Sequence, residues 1–239
     1  MRLSPFLSRC ILMVVFVFFA GESTLLAQNS DATSTPVSST NPYGSGIGMG
    51  IALNNSGFGI NGFITRALTP TLSLTTELSI RSEKHEQEQK FFDFFGNSLI
   101  PYKLNYMLMI PLEVGVQKRV FADAIEDSFR PFVQASAGPT IGYIYPYFND
   151  DNQNMELDQG EKTFDSIGSL FKGLAEFGIG GSIGFGAQFG ISRKSVQAIR
   201  LGYNFQYFFK DIQLMEPSFK DAQHFFGTPT ITLIFGRTR

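Results

Sequence analysis

Residues Leu104 to Gln117 read LNYMLMIPLEVGVQ, and this stretch decides the fold. Leu104, Tyr106, Leu108, Ile110, Leu112, Val114 and Val116 occupy alternate positions, while Asn105, Glu113, Gly115 and Gln117 fall between them. In an extended chain successive side chains point to opposite faces, so this segment has one apolar and one polar face. Its length matters as much as its period. Ordinary strands run about 5–6 residues, and strands that cross a membrane about 9–11.

Seven further segments repeat the pattern. The first carries Ile47, Met49, Ile51 and Leu53, and the second Phe58, Ile60 and Ile64. In the third, Leu72, Leu74, Leu78 and Ile80 alternate with Ser73, Thr75, Glu77, Ser79 and Arg81. The fifth has Val133, Ala135, Ala137, Ile141, Tyr143 and Tyr145. The sixth sets Phe177, Ile179, Ile183, Phe185, Phe189 and Ile191 against a row of small residues, mostly glycine. The seventh sets Ile199, Leu201, Tyr203, Phe205, Tyr207 and Phe209 against Arg200, Gly202, Asn204 and Gln206, and the last carries Phe225, Ile231, Leu233 and Phe235. With the segment at 104–117 they make eight, an even number that suits a closed antiparallel barrel.

Which face points inward follows from charge. The apolar faces carry charge only near segment ends (Arg66, Lys118), whereas Glu77, Arg81, Glu113, Glu176 and Arg200 lie on the opposite face. Tyr106, Tyr143, Tyr145, Tyr207, Phe209 and Phe225 gather toward one end of their apolar faces, as an interfacial aromatic girdle does. The expectation is an all-β, up-and-down antiparallel transmembrane β-barrel of about eight strands over residues 46–239, with its apolar face toward lipid. Connections alternate accordingly: 68–70, 119–129 and 192–195 on one side, and 54–57, 84–101, 146–172 and 211–222 on the other. Three of the latter four are long, as surface loops are; the connection at 54–57 departs from that trend.

The rest of the chain fits this frame. Arg2 and Arg9 precede the apolar run Ile11 to Ala20, which is too short to span a bilayer as a helix, so residues 1–27 read as a secretory signal peptide. Cys10 leaves with it, and the mature chain has no thiol chemistry. Residues 28–45 are rich in Ser, Thr, Asn and Pro and read as a disordered leader. A net charge of −2 and the lack of a basic block argue against nucleic acid as a partner.

Tyr106 to Val114 (YMLMIPLEV), Arg130 to Tyr143 (RPFVQASAGPTIGY), the Gly-rich Phe177 to Phe189 strand and Ile199 to Tyr203 (IRLGY) resemble the outer-membrane β-barrel family of Bacteroidota and relatives. Its members are similar in build to small OmpA- or OmpX-type barrels. The resemblance covers roughly Tyr43 to the C-terminus and implies architecture rather than activity. Such barrels often end on an aromatic residue used in membrane assembly; here Phe235 is followed by Gly-Arg-Thr-Arg, a departure. The implied setting is the outer membrane of a Gram-negative-type bacterium. The implied partners are outer-membrane lipid, lipopolysaccharide and the barrel-assembly machinery, and the implied state is a monomer.

Candidate chemistry is sparse. Buried charges persist only when paired, so Glu77, Arg81, Glu113, Glu176 and Arg200 are expected to form an interior ion-pair network, Arg200 meeting Glu113 first and Glu176 second. Such a network either plugs the barrel or lines a narrow channel. A rim-site lipid-modifying enzyme would need His85 or His224, yet no nucleophile turn accompanies them, so no catalytic, cofactor-binding or metal residue is assigned. Asp150 to Glu161 has acidic and amide residues at calcium-loop spacing but Met155 where the turn requires glycine, and reads as a hydrated surface loop. Phe91, Phe92, Phe94 and Phe95 are expected to pack over the barrel mouth or, alternatively, to offer a patch to a partner. The function expected is structural or surface-interacting; the alternative is a narrow channel or hydrophobic-solute transporter.

Overall fold

A computed structural model describes residues 45–238 except 93, 95–97, 123–127, 159–160, 165–166 and 190–194; the signal peptide, nearly all of the leader, Phe95 and Ile191 therefore lie outside the described residues. Its elements are β1 (Gly46–Asn54), β2 (Gly57–Ala67), β3 (Leu72–Glu83), β4 (Phe91–Phe92), β5 (Ser98–Leu99), β6 (Asn105–Arg119), β7 (Phe129–Pro146), β8 (Leu174–Phe189), β9 (Ser195–Ile212) and β10 (Gln223–Thr238). Eight of them close a ring in the order β1-β10-β9-β8-β7-β6-β3-β2, every neighbouring pair antiparallel, while β4 and β5 form a separate two-residue hairpin. Each barrel strand matches one of the eight alternating segments, in sequence order, with Leu104 just before β6 and Ile191 outside the described residues.

Closure explains why strands of this kind are stable: it leaves no sheet edge for most of their length. Ile51, Ile60, Val114, Ile183, Phe205 and Ile231 point outward and are exposed, one from each of six strands, so apolar side chains cover the outside of the ring. Asn61, Thr75, Glu113, Gln134, Gln206 and Thr232 point inward and are buried. Following registered partners once round, from Asn54 through Thr230, Gly202, Gly184, Gln134, Gln117 and Ser73 to Ala67, returns to the opposite end of β1, a stagger of about ten residues.

Two ends of the ring differ. At one, here the terminal end, the chain enters at Gly46 opposite Thr238 and the connections are short. At the other, the loop end, the described residues of 84–104, 147–173 and 213–222 extend beyond the barrel strands and bind one another through the backbone: Leu104 and Asn105 N–H donate to Leu214 O, and Tyr147 N–H to Leu104 O. The β1–β2 connection is the exception, a two-residue turn at the same end. Within the long loops Phe91, Phe92 and Phe94 are exposed, so these rings do not pack over the mouth as expected.

Strand prolines and glycines locate the tightest contacts. The β6–β7 ladder lapses between Pro111↔Thr140 and Val114↔Ala137, where Pro139 has no N–H to contribute. There a Cβ on Gly138 would lie 2.0 Å from the Leu112 carbonyl oxygen, whereas one on Gly62 would meet nothing within 4 Å. Gly138→Ala is therefore expected to destabilise the folded barrel by roughly 1–3 kcal/mol, as overpacking does. Gly62→Ala should leave it unchanged or slightly firmer, and urea unfolding of both variants measures the contrast.

Candidate functional site

The interior is filled, in layers. At the terminal end Phe132, Ala198 and Ile234 are buried together, with Phe63 and Val196 against them. Toward the loop end Met107, Met109, Phe208, Ile212, Leu214 and Phe226 form a second apolar layer. Glycines on the inner face of β8 make room for these side chains: a Cβ on Gly186 would sit 2.7 Å from the Phe132 ring. Between the layers the lining is polar and encloses a cavity of only about 20 Å³, room for about one water molecule.

Arg200 and Glu77 dominate that middle zone. They stand on β9 and β3, four places apart in the ring of eight, so the two side chains together bridge the lumen. Arg200 Nη1 and Nη2 each donate to a Glu77 carboxylate oxygen at 2.8 Å, a bidentate pair. Nη1 also donates to Gln134 Oε1 at 3.0 Å, and Asn61 Nδ2 donates to Glu77 Oε1 at 2.6 Å.

Arg200 thus meets neither Glu113 nor Glu176. Glu113 lies opposite Glu77 in the β3–β6 register, and two like charges in that position repel. Hydroxyls take up its charge instead: Ser136 Oγ donates at 2.5 Å and Ser182 Oγ at 3.0 Å to Oε2, with Gln206 Nε2 3.4 Å from Oε1. Arg81 is 3.9 Å from Glu83, a residue outside the expected set, and within electrostatic reach of Glu113 and Glu77. Glu83 Oε1 accepts from Thr228 at 2.7 Å and from Ser56 at 3.0 Å, tying β3 to β10 and to the β1–β2 turn. Glu176 belongs elsewhere. It pairs at 3.0 Å with the exposed Lys210 at the loop-end rim, because residues so near the start of β8 stand above the lumen.

The aromatic set divides in two. Tyr207, Phe209 and Phe225 are exposed on the outer face. Tyr145 is only 4% exposed, stacked on Tyr106 at 5.2 Å and tilted against Tyr143 at 6.0 Å. Tyr143 Oη donates to Leu170 O at 2.6 Å and Tyr106 Oη to Phe164 O at 3.2 Å, so this half of the girdle supports the loop at 147–173 instead of facing outward. Beside it Lys103, buried, pairs with Glu88 at 2.6 Å and lies 4.3 Å from the Tyr106 ring centre. Burial pushes the Lys103 ammonium below its usual range, and Glu88 pulls in the opposite direction.

The remaining candidates offer little chemistry. His224 Nδ1 is 2.9 Å from Phe208 O and Nε2 is 2.7 Å from Asp211, so both ring nitrogens are engaged. His85 Nδ1 accepts from Gln87 N–H at 3.1 Å. In the acidic loop Asp150 accepts the N–H groups of Asn154 and Met155, and Glu161 accepts those of Asp151 and Asp158. Among the described residues no group of three or more His, Cys, Asp or Glu could hold a metal ion.

Removing Arg200 leaves Glu77 buried without its partner, a change that typically costs about 3–5 kcal/mol. Arg200→Ala should therefore lower the unfolding midpoint sharply. Adding Glu77→Gln should recover part of the loss, and adding Glu113→Gln should not; equal recovery by both would contradict the bidentate assignment.

No protein-family profile matches the chain, and no curated protein matches it either. Among solved structures it is similar to the N-terminal β-barrel domain of Pseudomonas aeruginosa OprF, at 12% identity and a TM-score of 0.40 over 82% of this chain and 96% of that one. It is also similar to Neisserial surface protein A, at 7% identity and a TM-score of 0.40 over 82% and 94%. The outer membrane enzyme PagL is a third, at 12% identity and a TM-score of 0.34 over 81% and 99%.

Proposed function

We propose that this chain is a small outer-membrane barrel with a closed interior, serving a structural or surface-interaction role through its long loops. The single observation that supports this most is the combination of a continuous apolar exterior with a polar lumen sealed by apolar layers toward both ends. Exposed apolar patches on soluble monomers rarely exceed a few hundred Å², and a ring of outward Ile, Leu, Val and Phe around eight strands calls for lipid as its solvent. The terminal end then faces the periplasm and the loop end the exterior, where lipopolysaccharide surrounds it. Insertion would depend on the barrel-assembly machinery, and the closed ring suits a monomer.

A channel is the weaker reading. The central cavity is too small for a hydrated ion, and Phe132 and Phe208, each almost wholly buried, stand in the layers on either side of it. Catalysis at the rim is weaker still, since His224 has both nitrogens committed.

Two measurements test the proposal. Planar-bilayer recordings of the purified barrel should show no conductance steps; regular ionic steps would overturn the closed interior. Phe205→Arg and Val114→Arg place a cation on the lipid face and should each cost about 2–4 kcal/mol near the midplane, seen as lost heat-modifiable gel migration. Normal assembly of both variants, or recovery of the native protein in the soluble periplasmic fraction, would sink the membrane assignment.

A further inference from the structure

The short β1–β2 hairpin leaves a notch in the barrel wall. β1 pairs with β10 only as far as Asn54↔Thr230, while β10 runs on past that point from Pro229 to Gln223, held by β9 on one side. On the far side of the hairpin, β3 continues to Glu83 and the chain on to Lys84 and His85, beyond the last β2 pair, Gly59↔Arg81. The gap between these two edges is floored by the turn at Asn55 and Ser56.

Two hollows meet there. One, of about 250 Å³, lies at the level of the notch and is lined by Lys84, His85, Lys220, Gln223, Tyr203 and Phe225 among others. The other, of about 370 Å³, is an open groove on the outer face below it, walled by Leu53, Leu201, Pro229 and Ile231. Asn55 lines both, and the registered pair Pro229↔Tyr203 joins them, with Pro229 in the groove and Tyr203 in the upper hollow. Tyr203 folds toward the notch over Gly227, where a Cβ would lie 2.1 Å from its hydroxyl.

The charges in the upper hollow are distributed unevenly. Lys84 and Lys220 approach it from opposite edges. Glu83 turns its Oε1 to Thr228 and Ser56, and its carboxylate also faces Arg81, while Glu86 stands exposed at the rim. Burial holds the His85 ring below the usual histidine range and the Lys220 charge depresses it further, while Glu86 and Glu88 pull the other way.

From this we infer that the notch is a lateral binding site for a single-chain anionic amphiphile of the fatty-acid type. Its head sits between Lys84 and Lys220 in the upper hollow, and its chain lies in the groove along Leu53, Leu201 and Ile231. The ligand is drawn from the surrounding leaflet, because the groove is continuous with the apolar exterior. An amphiphile satisfies both hollows at once, one that Lys84 and Lys220 enter while Glu83 is engaged by Thr228, Ser56 and Arg81 and Glu86 stands at the rim, and one that is apolar, and the site is one groove wide, which suits one chain. This assignment rests on the membrane location proposed above.

The test uses the full barrel in phosphatidylcholine vesicles, with palmitate carrying a photoreactive diazirine on its chain as the probe. Crosslinks should concentrate at Leu53, Leu201 and Ile231 and saturate with probe. In the Lys84→Gln/Lys220→Gln variant, whose changes lie outside the barrel strands, labelling at those positions should fall roughly tenfold, the loss expected for a charge-assisted hydrogen bond. The matching diazirine alcohol should label the groove as weakly as the variant is labelled. Palmitate should also raise the pKa of the His85 ring, followed by NMR, since an anion offsets Lys220. Equal labelling of Leu53, Ile60, Ile183 and Phe185 would mean ordinary boundary lipid and would overturn the site while leaving the membrane location intact. Groove labelling unaffected by the lysine changes, or a His85 ring unmoved by palmitate, would overturn the anionic head. No labelling anywhere on the outer face would remove the membrane location itself.

Discussion

The bidentate contact between Arg200 and Glu77 is the constraint on which the rest of the interior depends. It joins walls on opposite sides of the ring, so neither side chain can be satisfied by its own neighbourhood. Once the pair is in place, other contacts have a defined height: Gln134 and Asn61 complete its donor and acceptor sites, and Glu113 turns to Ser136 and Ser182. A one-residue slip of either strand would turn these groups outward and bring apolar side chains in. Such a pair contributes less through net energy than by making alternative registers costly.

The apolar layers on either side serve a different end. A polar network in a wet lumen would exchange its partners for water, whereas one capped by Phe132 and Phe208 keeps a low-dielectric surrounding in which its hydrogen bonds are stronger. The two layers and the network therefore depend on each other. Small inner residues on β8 are the geometric condition for both, since Gly186 admits the Phe132 ring and Gly180 admits Gln206.

Much of this architecture was legible from period alone. Within the ring the apolar sets assigned from alternation face outward, Leu104 and the tyrosines under the loop at 147–173 excepted, because a strand's two-residue repeat leaves no latitude once one face carries Glu77 or Arg200. Partner choice was not legible. Glu77 and Glu113 share a height, and only the accumulated stagger around the ring tells which of them Arg200 reaches. Glu176 was misplaced for a related reason: its parity is inward, but parity says nothing of depth. The loop-end seal did leave a signal. Met107 and Met109 interrupt the polar face of the segment at 104–117, as Phe208 and Phe226 do in theirs, so alternation gives way to continuous apolar runs where the lumen closes. The burial of Tyr145 left none, since the loop that covers it is distant in sequence and shares no period with it.

The short hairpin also has a consequence for how the barrel forms. The β1–β10 ladder joins the two ends of the described chain and runs from Gly46↔Thr238 only to Asn54↔Thr230, whereas β7–β8 runs from Phe129↔Phe189 to Ile144↔Leu174. A hairpin such as β7–β8 joins strands that are consecutive in the chain and closes over residues 147–173 only, whereas the β1–β10 pairing must close the longest loop in the molecule for one of its shortest ladders. That seam therefore carries the largest closure cost in the ring for one of its smallest sets of pairings.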